Sequence, residues 1–332
     1  MIQVKKSRGI PRNLLQLEAL LARLPEAHPK REEIREELFK RRSGYRGERT
    51  LDFILTTMPP TERRWHTFHD IRLQQKRYAF QIDTLLLSIH CIVLMEVKNF
   101  SGEVHFDSGS YQFTRTNNKG VQRFSNPLFQ VQRQQTQLEA WLDYHNFPPL
   151  PVISIVVFSS SHTIITTNQA AHAQAISVLH AEALPEKLRE IESKFNKPWL
   201  STNQASSLIS LLLNNHQELS SNCLKRYQIH PADILTGVTC TACQRLKMQK
   251  SLKSKNWRCP HCGHHSKNAH IASLQDYALL IDPSISNSEA RHFLEVDSQA
   301  TARRMLTSLQ LKVEGSYKNR RYLLPIPLPG AE

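Results

Sequence analysis

No run of eighteen apolar residues occurs anywhere in the 332-residue chain, so the sequence contains no helix that its own hydrophobicity would drive across a bilayer. The opening stretch, MIQVKKSRGIPRNLLQLEALLARLPE, starts basic but keeps charged residues through its helical part, where a signal peptide would need an uninterrupted apolar core. The expectation is a soluble, intracellular, cytoplasmic protein. Acidic residues are in short supply, 29 against 43 lysines and arginines, which leaves a formal charge of +14. Such an excess favours an anionic partner, nucleic acid first, although basic composition also serves solubility alone. Cysteine is scarce as well: of six, four form a metal pattern, and the remaining Cys91 and Cys223 are far apart and read as single buried thiols rather than a disulfide.

That pattern is Cys240-x-x-Cys243 and Cys259-x-x-Cys262, two knuckles separated by fifteen residues. A tetrahedral Zn²⁺ needs four soft ligands, and a tight turn at each knuckle presents both sulfurs of a pair to one ion, so residues 233–275 are read as a structural zinc ribbon. A redox role for C-x-x-C would not explain two of them. His261, His264 and His265 lie nearby but are surplus to a filled coordination shell. The intervening RLKMQKSLKSKNWR has six basic residues and no acid, the composition of a phosphate-binding finger.

Most of the chain makes sense around YAFQIDTLLLSIHCIVLMEVKNFSG, residues 78–102. Residues 78–87 and 91–99 are rich in β-branched and aromatic side chains and read as neighbouring strands joined through Ser88-Ile89-His90. Strand side chains alternate, so Glu96 and Lys98 share a face, Met95 and Val97 take the other, and Asp83 can face Glu96 across the pair. An Asp on one strand and Glu-x-Lys on the next offer two carboxylates to a hard cation such as Mg²⁺ or Mn²⁺, with an ammonium beside them. Phosphodiester hydrolysis uses such a set: a phosphate is polarised and a water's pKa lowered at the cation, while the lysine orients the water or meets developing charge. The alternative is a solvated strand face. Against it, the flanking IVLM and FQI are apolar enough for strands buried on both sides, where charges need a reason.

The same residues carry a resemblance. Gly47-Glu48, Gln81-Ile82-Asp83, Glu96-Val97-Lys98-Asn99 with Gly102, Asn126-Pro127-Leu128 and Gln130 occur in the order of the nuclease-related domain (NERD) family over roughly residues 44–145. That family is regarded as a branch of the restriction-endonuclease-like PD-(D/E)xK superfamily. The resemblance implies that Asp83, Glu96 and Lys98 form the metal-and-lysine core and that Glu48 is the additional acid found near such sites. Asn126 and Gln130 then match a downstream polar motif in contact with substrate or with the ligands.

Around that centre, residues 14–24 and 29–42 have helical spacing and form an N-terminal helical segment over residues 1–43, with basic residues including Arg41 and Arg42 on a solvated or phosphate-facing side. GERTLDFILTTM is a further helix, stopped by Pro59-Pro60. Residues 65–73 read as the first core strand, on which His66 and His69 face opposite sides and take no catalytic role. Two short strands follow around Asp-Ser-Gly-Ser, then a glutamine-rich helix over residues 128–144 with Gln130 and Gln134 on one face, and a buried strand over residues 148–158. A NERD nuclease-like domain is thus expected over residues 44–166 and a helical connector over residues 167–232. Residues 276–332 read as a winged helix: a helix capped at Asn287 or Ser288, a second capped by Ser298 and running to about Leu311, and a hairpin around Gly315-Ser316 carrying Lys318, Arg320 and Arg321. Arg303 and Arg304 would enter the groove of double-stranded DNA; a helical hairpin used for packing is the alternative.

The expected fold is therefore α/β, a restriction-endonuclease-like mixed sheet flanked by helices, followed by the connector, the ribbon and the winged helix. The expected function is a Mg²⁺- or Mn²⁺-dependent deoxyribonuclease. A DNA-binding or regulatory protein whose nuclease fold no longer cuts is the alternative, and an RNA-directed nuclease a third.

Overall fold

The computed structural model describes residues 2–59, 63–75, 78–168, 176–219, 221–250 and 256–328. The chain separates into two compact units, one of residues 1–9 and 41–219, the other of residues 10–40 and 220–332. It begins with β1 (Ile2–Lys6), α1 (Arg12–Arg23) and α2 (Arg31–Thr57). The first residues are thus a strand, not part of a helical segment. α2 continues unbroken through Ser43-Gly44, where two helices were expected. No proline lies within it, and a glycine costs only about 1 kcal/mol relative to alanine, which the Glu, Arg and Leu on either side outweigh. Pro60, expected to help stop it, lies outside the described residues.

The unit containing residues 41–219 is built on β2 (Trp65–Gln75), β3 (Tyr78–Leu87), β4 (Ile92–Lys98), β5 (Gly102–Phe106), β6 (Phe113–Asn117), β7 (Gly120–Phe124), α3 (Pro127–Tyr144), β8 (Val152–Phe158), β9 (Thr163–Thr167), β10 (Ser177–His180), α4 (Leu184–Lys194) and α5 (Thr202–Asn214). Six strands form a mixed sheet in the order β1-β2-β3-β4-β8-β10, and four form a smaller one, β7-β6-β5-β9. β2, β3 and β4 are antiparallel, while β8 lies parallel to both β4 and β10. Both faces of the large sheet are covered, which is why its central strands are apolar without a break. Ile92 and Leu94 pack with Val131, Leu138 and Trp141 of α3 and with Leu208 of α5. Val93, Met95 and Val97 pack on the other side with Leu51 and Leu55 of α2 and Leu188 of α4. This is the alternation expected for β4. The segment read as an all-helical connector instead supplies a strand, β10, beside β8, and α5 completes a core. Four residues are too few to show a strand period, and the pairing that stabilises them lies far away in sequence.

The other unit contains α1, α6 (Cys223–Tyr227), β11 (Gln249–Lys250), β12 (Trp257–Arg258), β13 (His265–Ser266), α7 (Ala269–Leu280), β14 (Ser284–Ser286), α8 (Asn287–Leu294), α9 (Gln299–Ser308), β15 (Val313–Glu314) and β16 (Arg321–Leu323). β11, β12 and β13 make a small antiparallel sheet next to the cysteines, with Trp257 buried and its indole N–H donating to His270 Nδ1 at 3.3 Å. β14-β16-β15 is a second one. α8 is capped by Ser286, one or two residues earlier than expected, through a reciprocal pair: Glu289 N donates to Ser286 Oγ at 3.2 Å and Ser286 N to Glu289 Oε2 at 2.7 Å. Ser298 caps α9, which ends at Ser308 rather than near Leu311. Residues 251–255 of the basic loop between the knuckles, and the side chain of Lys318, lie outside the described residues. Among the described residues no helix is long and apolar enough to cross a membrane.

Candidate active site

β4 carries Glu96 and Lys98 toward α3. Glu96 is 2 % exposed, and both of its oxygens are occupied: Lys98 Nζ donates to Oε1 at 2.7 Å and Gln134 Nε2 to Oε2 at 2.9 Å. Gln134 also donates to the carbonyl of Gln81 at 3.0 Å, and Gln130, one turn earlier, accepts from Lys98 Nζ at 3.0 Å. Asp83 lies on β3, and its Oδ2 accepts the backbone N–H of Val97 at 3.0 Å. Burial first, then the charges of Glu96 and Glu48, hold its carboxyl well above the usual range. Asn126 is placed differently from its expected contact role. Its Oδ1 caps α3 by accepting from Leu128 N at 3.0 Å and its Nδ2 donates to the carbonyl of Tyr111 at 3.1 Å, so both ends of the amide serve the fold.

Glu48 arrives from α2, and Gly47 permits it. A Cβ on Gly47 would stand 2.5 Å from Asn99 Cβ and 2.6 Å from Ser159 Oγ, so only glycine lets the helix approach the end of β4 this closely. Asn99 Nδ2 fastens the contact, donating to the carbonyl of Ser43 at 2.8 Å. Glu48 Oε2 accepts from Arg8 Nη1 at 2.6 Å. Burial drives the Glu48 carboxyl up to about 7 against the pull of Arg8, with Asp70, Asp52 and Glu96 adding to the rise. Arg8, Asp52, His69 and Asp70 were not singled out as site residues by sequence. Asp52 had a signal, since it lies four residues beyond Glu48 on one helix face; Arg8 had none. His69 Nδ1 lies 3.0 Å from Asp52 Oδ1, and burial lowers its pKa to about 4, keeping the imidazole neutral.

Residues 43–159 match the family model of the nuclease-related domain. The chain carries a NERD domain. Its span contains Glu48, Asp83, Glu96, Lys98, Gln130 and Gln134. No curated protein matches the chain. Among solved structures it is similar to protein VC1899 from Vibrio cholerae, at 12 % identity and a TM-score of 0.23, over 55 % of this chain and 51 % of that one. The chain thus spans about half the length of that structure.

The NERD residues suit a hard cation. Every candidate donor is an oxygen, the Asp83 carboxyl is crowded by two others, and Gln134 Oε1 is buried without a hydrogen-bond donor. Acceptors therefore outnumber donors, an imbalance that a divalent cation bound through one or two carboxylates and its own waters would correct. Among the described residues, only the four cysteines bring three or more ligand atoms within 4.8 Å of one another. Cys240 and Cys262 Sγ are 3.7 Å apart, and Cys243 and Cys259 Sγ 3.6 Å. Thiolates at ~2.3 Å from one tetrahedral ion stand about 3.8 Å apart, so the cluster can hold a structural metal. Cys91 and Cys223 are free and buried, and burial pushes the Cys223 thiol up to about 11.

Of the expected DNA contacts, Arg303 and Arg304 on α9 and Arg320 before β16 are exposed. Arg321 is engaged inside its own module: it donates to Ser284 Oγ at 2.8 Å and to the Ser284 carbonyl at 2.9 Å, and pairs with Glu289 Oε2 at 3.1 Å. Its guanidinium ties β16 to β14 and α8.

Proposed function

We propose that this chain is a divalent-cation-dependent deoxyribonuclease in which Asp83 and Glu96 hold Mg²⁺ or Mn²⁺, Lys98 acts on the reacting groups, and Glu48 supports the site. The observation that carries the reading is the set of contacts inside the NERD span: Lys98 donates to Glu96 and Gln130, Gln134 donates to Glu96, and Asp83 on the neighbouring strand accepts the Val97 N–H. When bound, the cation supplies polarisation of the scissile phosphate and a water of lowered pKa. Lys98 is fixed between Glu96 and Gln130, where its ammonium can donate to a phosphate oxygen as negative charge grows. Gln134 orients Glu96, and the Val97 N–H orients Asp83, so the carboxylates need little reorganisation.

Zn²⁺ is the ion proposed for the cysteine cluster, and DNA the proposed partner of the module that follows. The order α7, β14, α8, α9, β15, β16 with a three-stranded antiparallel sheet supports a winged helix whose α9 enters the groove, with Arg303, Arg304 and Arg320 on phosphates. Plasmid and linear DNA incubated with Mg²⁺ or Mn²⁺ test the enzyme. Wild type is expected to cleave, Asp83→Ala and Glu96→Ala to lose metal-dependent cleavage, and Lys98→Ala to lose on the order of a hundred- to a thousand-fold in rate. If wild type cuts nothing with either metal, the non-cleaving DNA-binding reading replaces this one.

A further inference from the structure

Arg8 precedes the matched span, just beyond β1, yet its side chain is 2 % exposed. Its Nε donates to Asp52 Oδ2 at 2.8 Å, and its Nη1 to Glu48 Oε2 at 2.6 Å while standing 2.9 Å from Asp70 Oδ1. Nη2 reaches Asp52 Oδ1 at 3.1 Å, the Asp83 carbonyl at 3.0 Å and Thr84 Oγ1 at 3.0 Å. These partners come from α2, β2 and β3, so one planar fork joins the helix that carries Glu48 to the strand that carries Asp83. Asp70 lies between the pairs His69–Thr84 and Ile71–Ile82, opposite Asp83, in the left-handed region at φ 50°. A non-glycine residue stays there only where its surroundings hold it, and the ion pair with Arg8 is such a hold.

We propose that Arg8 is a positioning residue for the nuclease site: its guanidinium holds the Glu48 carboxylate in place near Asp83 and Glu96, so that one residue outside the NERD span supports the cation site. The inference rests on the nuclease reading and adds to it. A lysine could supply the charge but not the fork, since an ammonium is a point charge without the planar set of five N–H groups that meets Asp52, Glu48 and Asp70 together. A merely structural ion pair would hold the elements together without acting through Glu48, and that difference is measurable.

The test is a double-mutant cycle on the full chain, read as Mn²⁺ affinity by titration calorimetry, with Asp83→Ala defining the binding that belongs to this site and thermal melting reporting the fold. Arg8→Lys is expected to weaken Mn²⁺ binding on the order of 10- to 100-fold, as losses of residues that orient metal ligands do. In a Glu48→Gln background the same substitution should leave the affinity unchanged within about twofold, because the group through which Arg8 acts is already gone. Should Arg8→Lys fail to fold, Asp52→Asn repeats the cycle, loosening the guanidinium while leaving Arg8 and Glu48 in place. Equal losses in both backgrounds would overturn the proposal alone. A wild type showing no Asp83-dependent Mn²⁺ binding would overturn the nuclease reading and this inference with it.

Discussion

Glu96 is a carboxylate at 2 % exposure, and what makes that tolerable is that each oxygen has its own donor, Lys98 Nζ on one and Gln134 Nε2 on the other. The two donors differ in what their loss would do. Removing Lys98 takes a charge from the site; removing Gln134 takes only a hydrogen bond and the orientation it enforces. Gln134→Leu should therefore leave Glu96 Oε2 and the Gln81 carbonyl without that partner and lower stability by about 1–3 kcal/mol, the cost of a buried acceptor left unmade. Metal-dependent cleavage should fall while DNA binding persists. Denaturant unfolding and a cleavage assay check both, and an unchanged unfolding midpoint would mean that Gln134 contributes nothing to Glu96. Glu96, Lys98 and their common face were legible in the sequence because period-two alternation is a local property of a strand. Gln130 and Gln134 were legible as one helix face, but the contact of Gln130 with Lys98 and of Gln134 with Glu96 depends on how α3 docks, which no local pattern encodes. Arg8 is the extreme case, forty residues before Glu48 in sequence.

Helices and strands were recovered where their pattern was long, as in β3, β4 and α3, and missed where long-range pairing decides, as in β1 and β10. α2 shows the opposite error, two helices expected where one runs, since a glycine within a helix is only a weak spot and does not divide it. Two glycines in this one helix give opposite expectations. A Cβ added at Gly44 would meet nothing within 4 Å, so Gly44→Ala should stabilise by about 0.5–1 kcal/mol through helix propensity alone. Gly47→Ala places a Cβ 2.5 Å from Asn99 Cβ, and should destabilise by about 1–3 kcal/mol as overpacking does. It should also lower cleavage, since α2 must retreat from β4 and take Glu48 with it. Thermal melts of the two variants side by side decide the matter: if both shift the same way, the close approach at Gly47 is not what the glycine is for.

At the scale of the molecule the formal charge of +14 says that an anion is attracted, but not which surface meets it. The exposed Arg303, Arg304 and Arg320 and the engaged Arg321 turn that into a divided expectation. Each phosphate contact releases counterions, so the slope of log affinity against log salt should become shallower by about 0.9 for every contact removed. Arg303→Ala, Arg304→Ala and Arg320→Ala should each weaken DNA binding and flatten the slope by that order, with the melting temperature held. Arg321→Ala should do the reverse, lowering the melting temperature through loss of the Ser284 and Glu289 contacts while leaving the slope of the folded protein near that of wild type. Asp83→Ala should bind DNA with the wild-type slope and not cut it. Binding measured by fluorescence anisotropy across a salt series, with melting curves on the same samples, separates these outcomes. If Arg321→Ala flattens the slope as much as Arg304→Ala does, the division of labour drawn from their contacts is wrong, and if none of the four changes it, DNA is met by another surface of the chain.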